Sequence, residues 1–167
     1  MMRRAFSQLR MGRPGPVLLD IPSDVLRGEA PDEATAYSPV QPRKSSGDPQ
    51  DVREAAKMLL AAKRPVIHAG QGVLYAEAWD ELRALAELTQ IPVMTTMAGK
   101  SAFPEDHPLS LGASAVSTPK HLWHFLEKAD VVFGIGCSFS QTNFGTMVPP
   151  GKVVVHSTND PNDVNKD

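Results

Sequence analysis

The sequence predicts an α/β fold, a doubly wound, mainly parallel sheet with helices on both faces in the Rossmann-like manner. Short, continuous apolar runs at 65–69, 92–96, 131–135 and 153–156 lack the alternation of half-buried strands, as strands covered on both faces do. Helical periodicities separate them, at 76–89 and about 119–128, and strands alternating with helices imply parallel pairing through right-handed crossovers. Glycines close two of the runs, in Gly70-Gln71-Gly72 and Gly134-Ile135-Gly136, where the chain must turn sharply out of a sheet.

The elements follow in order. Met2, Phe6, Leu9 and Met11 fall at roughly helical spacing, and Val17, Leu18, Leu19 and Ile21 form an apolar run bounded by prolines, read as a buried strand. One helix and one strand cannot bury a core, so residues 1–26 are expected to be the C-terminal remnant of a preceding domain. Residues 27–48 carry Pro31, Pro39 and Pro42 among polar side chains and read as a linker. The main domain is expected to run from 49 to 167. It opens with Asp48 as the cap and Pro49 as the first residue of a helix whose apolar face is Val52, Ala55, Ala56, Leu59 and Leu60. The strand at 65–69 comes next, then a helix with Trp79, Leu82, Leu85, Ala86 and Leu88 inward. A strand at 92–96 leads into a loop rich in Gly, Pro and His. The helix at 119–128 and the strands 131–135 and 153–156 complete the order, with a further helix able to begin after Pro161.

Composition excludes several function classes. The 167 residues have a formal net charge of -2, 41% hydrophobic and 22% charged side chains, so no basic excess is present to neutralise a nucleic-acid backbone. No apolar stretch approaches the about 18 residues of a membrane span. A single cysteine, Cys137, excludes an internal disulfide and a cysteine-based zinc cluster, and a cytoplasmic setting is expected.

In an open α/β sheet ligands bind outside the carboxyl ends of the strands. Those ends place Gly70, Gln71, Gly72, Thr95, Thr96, Gly136, Cys137, Ser138, Asn159 and Asp160 as the candidate cofactor-binding residues. Glycine amides suit phosphate, and Asp160 can accept hydrogen bonds from ribose hydroxyls. The same glycines serve a tight turn equally well, so both readings stand. The dinucleotide fingerprint is incomplete: Val73, Leu74 and Tyr75 follow Gly70-Gln71-Gly72 without a third glycine, and Thr95-Thr96 stands where an acidic residue would hold a ribose. NAD is therefore disfavoured. His121 and His124, three apart, have no third metal ligand; His68 and His156 read as core histidines with satisfied partners; Cys137 reads as a small buried residue.

The ordered strings Gly12-Arg-Pro-Gly-Pro-Val-Leu-Leu-Asp-Ile-Pro-Ser-Asp-Val25, Arg64-Pro-Val-Ile-His-Ala-Gly-Gln-Gly-Val73, Thr95 to Gly112, Ala129 to Gly136 and Pro149 to His156 with Asp160-Pro161 resemble thiamine-diphosphate enzymes of the acetolactate synthase, benzoylformate decarboxylase and oxalyl-CoA decarboxylase group. The first string is similar to the close of their pyrimidine-binding domain, the rest to their central domain. The resemblance implies a larger enzyme acting on 2-oxo acids, a homodimer or homotetramer that uses thiamine diphosphate and Mg2+. In that family the cofactor is held by a glutamate of the first domain and by a Gly-Asp-Gly motif with a distal Asn in the third. This chain has neither motif, so the fragment itself is expected to be inactive, with no catalytic or metal residue.

Some members also hold FAD or ADP in the central domain. The flavin-binding ones carry arginines two places after the glycine matching Gly136 and four further on, where Ser138 and Thr142 stand here. Ala115-Val116-Ser117 replaces their His-Gly step. These departures weigh against FAD and leave two alternatives: an ADP-like ligand at Gly70, Thr96, Gly136, Ser138 and Asp160, or a ligand-free scaffold. A stand-alone nucleotide-binding module and a pure interaction domain are the rivals from other classes.

Overall fold

The computed structural model describes residues 1–36, 38–39, 41, 44–115, 117–140, 142 and 145–164. Pro42, Val116 and residues 165–167, named above, lie outside this description. The chain divides into two units, Met1–Ser45 and Ser46–Asp167.

The first unit holds helix α1 (Met2–Arg10), helix α2 (Ser23–Arg27) and a 3-10 turn at Asp32–Ala36. The helical spacing read at 2–11 is present. The strand read at 16–21 is not: residues 14–22 have no regular structure, and Leu18 is 93% exposed. A strand persists only where its amides and carbonyls find a ladder partner, and the first unit offers no second strand among the described residues.

The second unit begins with α3 (Pro49–Ala61), where Gln50 N donates to Asp48 Oδ1 at 2.7 Å and Pro49 occupies the first turn, as the capping residues predict. Only Leu59 of its apolar positions is buried. Strand β1 (Pro65–Ala69), helices α4 (Gln71–Ala76) and α5 (Trp79–Thr89), strands β2 (Val93–Thr96) and β3 (Ser110–Ser114), helix α6 (Lys120–Lys128) and strands β4 (Val131–Ile135) and β5 (Val153–Ser157) follow. The strands form one sheet in the order β3-β2-β1-β4-β5, with every neighbouring pair parallel. Chain order reverses direction between β1 and β4, the topological switch of a doubly wound sheet.

Each face has its own core. Leu59, Val73, Leu82, Ala86 and Phe103 pack with Ile67, Ala69, Val93 and Phe133 on one face. Leu122, Leu126 and Ala129 pack with Val66, Met94, Leu111 and Val132 on the other. Helices α3, α4 and α5 thus cover one side and α6 the other, and the predicted architecture is the observed one. Asp130 fastens the amino end of the sheet: its carboxylate accepts from Lys63 N at 2.7 Å and Arg64 N at 2.9 Å, which holds its pKa below the ordinary 3.8.

Three expectations are corrected. Strand β3 falls in the segment read as a loop, because Ser110-Leu111-Gly112-Ala113-Ser114 has no apolar run and its register against β2 shifts between Val93 and Met94. The helix read at 76–89 begins only at Trp79, and a separate helix, α4, occupies Gln71–Ala76 in the stretch read as a glycine turn; Glu77, at φ 55°, divides the two. Trp79 and Leu88, expected inward, are exposed, the latter 85%. A helix against a sheet buries a stripe, which here is Leu82 and Ala86.

Candidate functional site

The carboxyl ends of the sheet bring the named glycines into one row. Gly70 N donates to Ile135 O at 2.8 Å, Gly72 N to Gly136 O at 2.8 Å and Gly136 N to Ser157 O at 2.9 Å, which ties the ends of β1, β4 and β5 together. A Cβ at Gly70 would fall 2.2 Å from Gly136 O and 2.5 Å from Cys137 Cα. One at Gly136, where φ is +62°, would fall 2.7 Å from Val73 N. From the other side Gly99, in the loop after β2, approaches so closely that its Cβ would lie 2.8 Å from Ala69 O. Contacts this short are with backbone that cannot step aside. The glycines therefore let two loops close on each other across the switch point, and the amides of Gly70 and Gly72 are spent on carbonyls.

The polar groups named with them carry local structure. Thr96 Oγ1 accepts from Gly99 N at 2.9 Å, Ser138 Oγ lies 2.9 Å from Ser140 Oγ, and Asp160 Oδ1 accepts from Asn162 N at 3.0 Å and Asn162 Nδ2 at 2.9 Å. Asp160 caps the 3-10 turn Pro161–Asp163. Thr95 is buried, Gln71 and Asn159 are exposed, and Thr96, Ser138 and Asp160 are half-buried. Cys137 is buried, and desolvation pushes its thiol up to about 12, which makes it a packing residue and not a nucleophile at neutral pH.

Beside this row lies a cluster that strand-end reasoning did not assemble. His68 sits in mid-β1, in register with Met94 of β2 and Gly134 of β4, and is 2% exposed. Neither ring nitrogen has a hydrogen-bond partner. This corrects the expectation of a satisfied core histidine. Burial disfavours the imidazolium and lowers the pKa to about 4, so the ring is neutral at pH 7. The Phe139 ring stands edge-on to it at 5.5 Å and edge-on to His156 at 4.9 Å, and His156 Nε2 lies 2.8 Å from Cys137 O. Gly134 makes room, for a Cβ there would fall 2.2 Å from the Phe139 ring. At the end of edge strand β3, Ser114 is buried with its hydroxyl against that of Thr146. The sequence clue was a histidine in a buried run opposite a glycine.

Other candidates do not converge. His121 Nε2 lies 3.1 Å from Leu111 O, and the described residues hold no group of three or more His, Cys, Asp or Glu able to take a metal ion. A surface cavity of about 370 Å³ lies between α5 and residues 101–105, lined by Trp79, Asp80, Arg83, Phe103 and Glu105 among others. None of the candidate cofactor-binding residues named from the sequence lines it. No described helix is long and apolar enough to cross a membrane.

Residues 52–167 match the family described as thiamine pyrophosphate enzyme, central domain. The chain is 40% identical to a probable acetolactate synthase large subunit of Methanocaldococcus jannaschii over 98% of its own length and 29% of that protein's. It is 36% identical to a glyoxylate carboligase of Escherichia coli O157:H7 over 99% of its length and 28% of the relative's, and 36% identical to an acetolactate synthase of Mycobacterium bovis over 99% and 27%. The chain thus spans less than a third of each of these relatives.

Proposed function

Since this chain belongs to the thiamine pyrophosphate enzymes, whose central domain it carries, we propose that it is the scaffold between the two cofactor-binding domains of a cytoplasmic transferase or lyase acting on 2-oxo acids. The reaction is acetolactate synthase-like carboligation or decarboxylation, and the working enzyme is a homodimer or homotetramer. The observation that carries this reading is identity of 36–40% across essentially the whole chain to two acetolactate synthases and a glyoxylate carboligase.

The residues present do not fit thiamine diphosphate and its magnesium. A magnesium-diphosphate site needs convergent oxygen ligands, and the described residues hold no acidic or histidine cluster of that kind. No catalytic step is assigned to this chain. Its part is to present a rigid sheet whose loops are pinned by backbone contacts at the switch point, since catalytic geometry depends on a supporting frame. The test is turnover by the enzyme that carries this segment. Pyruvate consumption dependent on thiamine diphosphate and Mg2+, with acetolactate or an aldehyde as product, is expected; failure to consume any 2-oxo acid under those conditions refutes the reading.

A second element of the proposal is an adenine-nucleotide crevice at the strand ends, for ADP in preference to FAD. What supports it is the half-buried oxygen set of Thr96, Ser138 and Asp160, with exposed Asn159 beside it, at the place where doubly wound sheets take ligands. The committed amides of Gly70 and Gly72 shift the weight of recognition to these side chains. Losing a hydrogen bond to a charged group costs about 1.5–3 kcal/mol, or roughly ten- to a hundredfold in affinity. Asp160→Ala should weaken ADP binding by that factor in calorimetric titration, and equal affinity in both proteins removes Asp160 from the site.

A further inference from the structure

The cavity of about 370 Å³ beside α5 has walls from two elements that a shared carboxylate fastens together. From α5 come Trp79 and Arg83, four apart and so on one face of the helix, with Asp80 beside them; from the loop after β2 come Ser101, Phe103 and Glu105. Glu87 Oε1 accepts from Arg83 Nε at 2.8 Å and lies 3.2 Å from His107 Nε2. His107 Nδ1 already accepts from Leu109 N at 3.1 Å, so Nε2 is the nitrogen that carries the proton and donates to Glu87. Helix and loop are thereby held apart at a fixed spacing, and the cavity is preformed. Ser101 keeps φ at 77° on its rim, a left-handed backbone that is costly for a residue with a side chain and that collects at ligand sites.

The lining carries charges of both signs around an apolar bed. Phe103 is buried and Trp79 is 42% exposed, so a phenyl and an indole ring offer the apolar surface. Arg83 spends on Glu87 one of its five N–H donors. Asp80 makes no ion pair or hydrogen bond among the described residues, and Glu105 has Lys100 at 3.4 Å. A simple anion would meet the two carboxylates here, and a simple cation the guanidinium. A molecule that carries both charges close together on an apolar body meets neither conflict. At the small end of the about 300–1,000 Å³ of ligand pockets, the space suits a single small zwitterion.

We propose that this cavity binds a free α-amino acid with an aromatic side chain. Its carboxylate is held by Arg83 with the Ser101 hydroxyl, its ammonium by Asp80 and Glu105, and its ring by Trp79 and Phe103. The site shares no residue with the strand-end crevice, so it stands whether or not a nucleotide binds there.

The test uses the 167-residue chain with Trp123→Phe, which leaves Trp79 as the single emitter of the two tryptophans. Trp79 fluorescence should change saturably with L-phenylalanine in the millimolar range or below. Phenethylamine, which lacks the carboxylate, and 3-phenylpropionate, which lacks the ammonium, should each bind about tenfold more weakly or worse. Arg83→Gln should weaken L-phenylalanine about tenfold and leave phenethylamine unchanged; Asp80→Asn should weaken both amines and leave 3-phenylpropionate unchanged. Both side chains are exposed, and the comparison of the three compounds does not depend on either variant. The absence of a saturable change with L-phenylalanine overturns the site. Equal binding of all three compounds, or L-phenylalanine binding that neither substitution alters, reduces it to apolar contact with Trp79 and overturns it as well.

Discussion

Substituting alanine for Gly70 gives the sharpest test of how the switch point is built. The added methyl would lie 2.2 Å from Gly136 O, 2.5 Å from Cys137 Cα and 2.6 Å from Cys137 N, all backbone, so the loops after β1 and β4 must part. Forced overpacking costs about 1–3 kcal/mol. Parting also strains the bonds from Gly70 N to Ile135 O and Gly72 N to Gly136 O, both 2.8 Å, each with a net worth of about 0.5–1.5 kcal/mol. The sum is about 2–6 kcal/mol against a typical total of about 5–15, or roughly 4–24 °C in melting temperature for a chain of this length. Two companions separate the causes. At Gly112 φ is +80° but nothing lies within 4 Å, so Gly112→Ala should lose only the backbone term, about 1–2 kcal/mol. At Gly15 there is neither crowding nor positive φ, and alanine should be neutral. Urea unfolding with unchanged slopes is the assay. If Gly70→Ala is no less stable than Gly112→Ala, the loops are not packed backbone on backbone.

Other outcomes follow from the same description. His68 has a folded pKa of about 4 against an ordinary 6.5, so its contribution is fully present above pH 6.5 and is lost as the pH falls toward 4, where the unfolded chain binds the proton first. The loss amounts to about 3 kcal/mol. His68→Leu should remove that part of the acid slope in pH-dependent unfolding and be neutral or stabilising at pH 7; an unchanged slope would place the titration elsewhere. Cys137, buried with its thiol raised to about 12, should resist a thiol reagent in the native protein at pH 8 and react with one equivalent after denaturation, and prompt native labelling contradicts the packing described. The Asp160→Ala titration stands beside these as the check on the nucleotide reading.

What could be read from the chain alone divides along physical lines. Strands β1 and β4 and helix α6 were legible because both sheet faces bury them or because one stripe of a helix does. Strand β3 was not, since an edge strand of Ser, Gly and Ala with a slipped register has no hydrophobic period. Val17 to Ile21 had the composition of a strand but no ladder partner, and composition does not report partners. The same limit applied at the site. Gly70 and Gly136 were recognisable as strand-end glycines, but that they face each other depends on β1 pairing with β4 across a crossover. The idle nitrogens of His68 became visible only with Phe139 in place, because a histidine in an apolar run looks the same whether satisfied or not.

The proposed role, a domain that frames a thiamine-diphosphate enzyme without holding the cofactor, is open to direct measurement. Calorimetric titration of the 167-residue chain with thiamine diphosphate in the presence of Mg2+ measures it directly. No saturable heat is expected up to millimolar cofactor. Binding in the micromolar range would contradict it, because it would require a magnesium-diphosphate site, and the described residues hold no group of three or more His, Cys, Asp or Glu able to take a metal ion.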